Sequence, residues 1–589
     1  MPSQSTPNID FSKGLYANVN RFGQPQGSFP RVSNLIYTDH GALKTTDGTD
    51  VISSPSGAGP TTGQVPFRYF LHYSPVGVSP TLLALTANGT NVTLVDVSST
   101  SWSSGNILYT GASAFNCPNM VQFNNDVLIA GGFSLAPKIW NGTTVTSLTN
   151  TWNGGNQLPA WQANVGYVVN ASLVTSGSYI YQAVNVNGNS GASAPTFPTT
   201  VGTTVVDGGV TWMNVGPLIP PAPPAARYVF NHLDSAWIWG TAATDQASGI
   251  DGPDVIAMSD LGNMTSWNPL NRAFVGHNDG QLAQGGAVFT LSETGIPATT
   301  QIVLFKTRDN YTIQGAFPDV TISKASSGLG CVASNTIQFI ADLGGIMRLT
   351  YQGPAIFDGQ HDNSDELVDP IRGYLFGGSF GLIGLDWQNI SAAVACQTYN
   401  PRGYLMFAPI QGAIGTTIYG PLTRGFFFDI TTKSWTIIDL PFGISGAAYI
   451  AQDLFPVQTL IGGYSDGAVR QMFNGDLTWD SNFTATPINW SFRTPEIGMA
   501  GTVLYLNCMN MYATTLAGLS RYTSIGLNYK SREGLDKTRA LSVPSRLVGT
   551  SRVNQTVLSA NMDIAGTGPM RFEGLERRIV SKPASITGR

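Results

Sequence analysis

The segment FFFDITTKSW, Phe426 to Trp435, decides how the rest of the chain is read. It runs as an apolar strand, an Asp, a short set of small polar residues and a Trp. An Asp placed there can accept hydrogen bonds from the amides of its own turn. The Trp then carries a large apolar body into a return strand, where it packs between sheets. LVDVSSTSW, Leu94 to Trp102, repeats the plan, with Asp and Trp again six residues apart. A hairpin written twice, far apart in the chain, predicts a fold built from one recurring β unit.

Further hairpins extend the pattern outward. VQFNNDVLIAGG (Val121 to Gly132) alternates and turns at Asn124 and Asn125, PKIWNGTTVTSL turns at Asn141 and Gly142, and IVLFKTRDNYTIQG turns near Asp309 and Asn310. IMRLTYQGPAIFDGQ and IGGYSDGAVRQMF each set a Gly-containing turn between short apolar strands. The units recur about every 40 to 55 residues, the period of a four-stranded propeller blade. Roughly 375 residues of such chain give about seven or eight blades. Composition agrees: 11% of the 589 residues are charged, against about 25% in an average soluble protein. With 67 Gly and 35 Pro, this excludes a helical or coiled-coil protein, and 42% hydrophobic residues exclude wholesale disorder. The fold class expected is all-β: a β-propeller with an inserted small β module and a C-terminal β unit.

The expected organisation is an N-terminal extended segment, 1–50, joining the propeller; propeller over 51–152; an inserted module, 158–218; propeller again over 225–497; and a basic C-terminal unit, 498–589. The insertion carries its own strands and is followed by LIPPAPPAA, a proline-rich spacer that resists helix and sheet. Charge divides along the chain. The net charge is -5, but residues 500–589 carry 12 basic and 5 acidic side chains while residues 1–499 carry 18 and 30, so a +7 terminal unit follows a -12 body. That balance argues against broad adhesion to nucleic acid or anionic membrane.

The series of motifs, taken in order, resembles a known class. GLYANVNRFGQPQGSFPRVSNLIYTDHGALKTTDG looks like the opening of tail proteins of short-tailed bacteriophages. The succession VLFKTRDNYTIQG, GGIMRLTYQGPAIFDGQ, ACQTYNPRGYLMFAP, FFFDITTKSWTIIDLP and GGYSDGAVRQM is similar to the propeller of their tail nozzle, or head-closure stabilisation, proteins. The resemblance covers roughly 1–150 and 225–589. It implies a homo-oligomeric ring, commonly of six copies, mounted in the virion tail below the portal and adaptor. Such a ring holds the genome in and passes double-stranded DNA during ejection without binding it tightly. The -12 body suits a wall that repels a polyanion, and the +7 unit suits docking on an acidic neighbour or on other tail components.

The insertion resembles small carbohydrate-binding modules of phage tail proteins. Their pattern of Trp, Tyr, a Ser-Gly-x-Ser-x-Pro turn and a terminal Asp-Gly-x-x-x-Trp stands here as Trp161, Tyr167, Ser190 to Pro195, Asp207 and Trp212. Aromatic faces can lie flat on a sugar ring. Trp161, Tyr167, Tyr179, Tyr181 and Trp212 are therefore the candidate glycan-binding residues, for host surface glycan, in an alternative reading of the chain as a receptor-binding tail protein. A domain of 60 residues also needs such side chains simply to make a core.

Chemistry finds little support. SDLGNMTSW, Ser259 to Trp267, approaches the Asp-box turn of sialidases but displaces both Asp and Trp, and no convergent carboxylate pair or arginine cluster is legible. The acidic loop HDNSDELVD, His361 to Asp369, could offer oxygen ligands to Ca²⁺ but lacks calcium-loop spacing. His40, His72, His232, His277 and His361 never fall at metal-ligand spacing, and no phosphate-binding Gly-rich motif occurs. The expectation is no enzyme, no cofactor and no metal. Cys117, Cys331, Cys396 and Cys508 read as free buried thiols. With no secretory signal and no unbroken apolar stretch, the chain is expected to be made in the host cytoplasm and not to span a bilayer.

Overall fold

The computed structural model describes residues 4–5, 14–17, 28–38, 42–56, 66–87, 91–112, 119–130, 137–152, 158–217, 226–241, 252–268, 270–277, 279–291, 299–325, 328–377, 382–412, 421–452, 455–475, 478–481, 484–498, 502–515, 521–530, 535–541, 549–557 and 559–583. Seven blades close into a ring among these residues. Blade 1 spans Phe67–Tyr73 to Ile107–Ala112, and blade 2 Asn119–Phe123 to Val145–Ser147. Blade 3 runs from Ala226–His232 to Arg272–Phe274, blade 4 from Ala283–Leu291 to Thr321–Lys324, and blade 5 from Gln338–Ile340 to Asp362–Asn363. Each is an antiparallel four-stranded sheet in chain order. Blade 6 is formed by Val394–Tyr399, Arg402–Phe407, Leu422–Asp429 and the first half of the long strand Ser434–Gln452. The second half of that strand opens blade 7, followed by Phe455–Gly463 and Val469–Met472. Its fourth strand comes from the other end of the chain: Thr49–Pro55 pairs antiparallel with Val469–Met472.

The first strand of each blade touches the first strand of the next around the whole ring, and the second half of Ser434–Gln452 meets Phe67–Tyr73 to close it. Glycine permits that last approach, because a Cβ on Gly446 would stand 2.9 Å from the carbonyl oxygen of Phe67. Successive side chains of a strand point to opposite faces, so a blade buried on both sides reads as a continuous apolar run. Ala236 and Ile238 face blade 2 while Trp237 and Trp239 face blade 4. Ile302 and Leu304 face blade 3 while Val303 and Phe305 face blade 5. The core is thus a set of separate apolar layers, one between each pair of neighbouring blades.

The Asp-to-Trp motif has one form in blade 6 and another in blade 1. Asp429 Oδ1 accepts the amides of Thr431 and Thr432 at 2.8 and 3.0 Å, and the buried Trp435 starts the return strand. Asp96 Oδ1 likewise accepts the Ser98 amide at 2.9 Å. Trp102, however, opens no return strand in blade 1: Ser101–Trp102 pairs in parallel with Ser54 and Pro55, and the indole N–H donates to the Gly467 carbonyl of blade 7 at 3.1 Å. The second motif is an inter-blade clasp rather than a hairpin.

A second β unit abuts blades 5 and 6. One of its sheets contains Leu35–Tyr37, Leu43–Thr45, Thr502–Thr515, Gly549–Val557 and Met570–Pro583. The other sets Arg31–Ser33, Asn489–Arg493, Ser559–Thr567, Arg521–Lys530 and Asp536–Ala540 side by side. Aromatic side chains join them, with Phe572 edge-on to Phe492 and Trp490 at ring-centroid distances of 4.9 and 5.3 Å. The unit therefore begins before Ile497, and it takes in much of the N-terminal segment. The proline-rich stretch 218–225 lies outside the described residues, as do Cys117 and the side chain of Cys508.

Candidate functional site

The inserted module leaves the ring in the connection between blades 2 and 3 and forms a four-stranded sheet of Leu173–Ser176, Tyr179–Val186, Val210–Pro217 and Thr204–Asp207. Asp207 and Val210 face each other across a two-residue turn whose first residue, Gly208, has φ +60°, a region that favours glycine. The turn delivers the Asp207 carboxylate to the centre of the module. Its Oδ2 accepts the indole N–H of Trp161 at 2.7 Å and of Trp212 at 2.9 Å, and its Oδ1 accepts the Gly191 amide at 2.8 Å. Ser190 Oγ, one residue earlier, accepts the Val165 amide and donates to the Gln162 carbonyl. The motif residues thus form a clasp joining the ends of the module.

The five candidate aromatics fall into two groups. Trp212 and Tyr181 are fully buried. Tyr167 stands edge-on to Trp212 at 4.7 Å, Phe197 covers Tyr181 at 4.3 Å, and the Tyr181 hydroxyl donates to the Pro198 carbonyl at 3.0 Å. No sugar ring can reach those faces, so these two side chains make the core. Trp161, Tyr167 and Tyr179 are half-buried at its rim and keep part of their surface accessible.

A cavity of about 310 Å³ lies on the propeller axis, bordered by first-strand residues such as Tyr69, Met120, Phe230, Ala287 and Ala447. Two of its asparagines stitch blades together: Asn119 Oδ1 accepts the Val229 amide at 2.9 Å, and Asn231 Nδ2 donates to the Gln122 carbonyl at 3.0 Å.

Charged groups converge at three buried places that sequence reasoning missed. Lys306, at the end of a strand after the apolar run Ile302–Phe305, is fully buried and reaches Asp254 at 2.6 Å, both oxygens of Asp279 at 2.9 Å and the Gly276 carbonyl at 2.8 Å. Arg348 meets Asp362 at 2.6 Å and lies over the Phe305 ring at 4.3 Å. Arg470 pairs with Asp466 and lies over Phe442 at 4.3 Å. These cations sit in the layers between blades and are matched by carboxylates and carbonyls, the arrangement of a structural ion pair. Asp362 of the acidic loop is thereby occupied, and Asp369 pairs with Arg372. No cluster of three metal-ligating side chains occurs among the described residues. In the turn of Ser259 to Trp267, Asp260 accepts from Ser266 Oγ at 2.5 Å and Trp267 is buried, so this segment fastens the edge of blade 3. Burial pushes the Cys331 thiol up to about 11 and raises Cys396 as well, which leaves both as unreactive thiols.

Neither the protein-family models nor the curated proteins contain a match to this chain. Solved structures to which it is similar include the N-terminal domain of BBS1 in complex with ARL6, at 9% identity and TM-score 0.34 over 73% of this chain and 96% of that one. Others are a glycoside hydrolase, at 10% identity and TM-score 0.19 over 88% and 99%, and apo AztD from Citrobacter koseri, at 11% and 0.22 over 65% and 99%. Likenesses this distant say nothing about function, and the propeller rests on its own strand pairing. No helix among the described residues is long and apolar enough to cross a membrane.

Proposed function

We propose that the chain is a structural protein of a bacteriophage tail: a nozzle subunit that assembles with copies of itself, in a ring of about six, beneath the adaptor. It would close the DNA channel there and pass the genome during ejection. The observation that carries this reading is the division of charge, a -12 body followed by a +7 terminal part. The body would repel a passing duplex, and the terminal part would dock on an acidic surface of a neighbouring copy or tail component. The axial cavity is far too small for a duplex, so in this reading the conduit lies between copies. The same reading makes the protein non-enzymatic, since its buried charges are spent on joining blades. Electron microscopy of the purified protein and of particles tests it: rings below a portal are expected, and a distal spike would overturn it.

A second reading, glycan binding by the module, is favoured by the accessible surface of Trp161, Tyr167 and Tyr179 beside a rigid clasp. Tyr179→Ala, which leaves the Asp207 clasp in place, would then weaken binding on a glycan array while the module keeps its own thermal transition.

A further inference from the structure

At the seam between propeller and second β unit, the strand Arg31–Ser33 lies between Ser434–Gln452 and Asn489–Arg493. A pocket of about 200 Å³ opens beside it. Val32 and Phe492 are buried in the core, so their neighbours Arg31, Ser33, Ser491 and Arg493 lie on the opposite face, with Arg31 across from Arg493 and Ser33 across from Ser491. Arg424 approaches from blade 6, and its Nε donates to Asp439 Oδ1 at 2.7 Å. The other Asp439 oxygen accepts Ser33 Oγ at 2.8 Å. Arg493 is held by both oxygens of Asp563, at 2.6 and 2.7 Å.

The pocket itself is therefore lined by two guanidiniums, Arg31 and Arg424, and one carboxylate, Asp439, which Arg424 engages; Arg493, outside the lining, is held by Asp563 and lies in the field of Glu496. Arg31 lies beside the neutral hydroxyl of Tyr374, and Asp563, within its field, is already held by Arg493 through both oxygens. A surplus positive charge thus stands in a pocket within a body that is otherwise strongly acidic. The wall opposite is aliphatic, Leu382 and Ile383, with Ile383 53% exposed at the mouth.

We propose that this pocket binds a small anion, a carboxylate or a phosphate, between Arg31 and Arg424, with the group that carries it resting on Leu382 and Ile383. Planar guanidinium forks bind both anions well. The volume, about six or seven waters' worth, admits a terminal phosphate or an acidic side chain and excludes a whole nucleotide or oligosaccharide. Asp439 fixes the orientation, because an anion avoids its side of the pocket and settles toward Arg31.

Calorimetric titration of the full chain with inorganic phosphate, and separately with glutamate, tests the site. A saturable site for at least one of them is expected; binding of phosphate alone assigns a phosphate-bearing ligand, and binding of glutamate a carboxylate one. Arg31→Gln should weaken it by about ten-fold or more, and Arg31→Lys, which keeps the charge but loses the fork, should weaken it less than Arg31→Gln does. Ile383→Asp, at an exposed position that does not threaten folding, should weaken it similarly by placing a like charge at the mouth. A folded wild-type chain that takes up neither anion, or affinity unchanged in both Arg31→Gln and Ile383→Asp, would overturn the proposal. The outcome is independent of the ring reading, which particle images decide.

Discussion

Val469, in the third strand of blade 7, pairs with Ser53, from the beginning of the chain. The register runs on to Met472 opposite Thr49, and Ser53 Oγ donates to the Ser99 carbonyl at 2.6 Å. One short N-terminal strand therefore fastens the last blade to the first. Replacing buried Ser53 with Pro removes an amide from this ladder and should cost on the order of 2–3 kcal/mol. Limited proteolysis should then cut within 49–56 before any other site; an unchanged cleavage order would show that the ring closes without this strand.

The module should depend on Asp207. Asp207→Ala leaves two indole N–H groups and the Gly191 amide without their acceptor, an expected loss of about 3–5 kcal/mol. Asp207→Asn, which retains one acceptor oxygen, should lie between. Tryptophan fluorescence during denaturation of the full chain reads both, and equal behaviour of the two variants would contradict the clasp.

Lys306 offers a sharper test of buried charge. Lys306→Met removes the cation that Asp254 and Asp279 share, and the ring should lose about 3–5 kcal/mol. Adding Asp254→Asn and Asp279→Asn should recover much of it, because the desolvated charges go together. Failure of the triple variant to recover would mean that the carboxylates serve some purpose other than holding Lys306.

His232 makes the stability depend on pH. Burial lowers its pKa from 6.5, and neither ring nitrogen has a hydrogen-bond partner. The unfolded chain therefore binds a proton that the folded chain refuses. Stability from this group is complete above about pH 6.5, falls as the pH drops below that value, and levels off once the folded pKa is passed. His232→Phe should flatten that part of the profile, as measured by denaturant midpoints at pH 5 to 7.5; an identical slope in the variant would rule the histidine out as its cause.

Much of the architecture was legible because it is local. Turns at Asn124, Asn141 and Asp309 join strands that are neighbours in sequence, and short-range pairing writes itself into alternation and turn residues. The pairing of Ser33 with Ser491, or Ser53 with Val469, leaves no such trace, since nothing in a short strand names a partner hundreds of positions away. The blade spacing, 50 to 57 residues between first strands where no insertion intervenes, lies at the long end of what the turns alone suggested. Within the module, the pattern that flagged Trp161, Tyr167, Asp207 and Trp212 marks a fold-determining clasp as much as a surface. A sequence pattern does not separate an aromatic that packs from one that binds. Lys306, Arg348 and Arg470 looked like scattered bases because their partner carboxylates mostly sit in loops; only their apolar neighbours in sequence hinted at burial.

The weaving of the first strands into the last has a cost in time. A ribosome adding roughly 5–20 residues per second needs on the order of half a minute or more to travel from Ser33 to its partner near Ser491. Throughout that interval the blades can form one by one, but the growing protein carries an unpaired leading end and an open ring with bare edges. Synthesis must therefore pass Ser491 before the molecule can seal itself, which delays any self-association of closed rings until then.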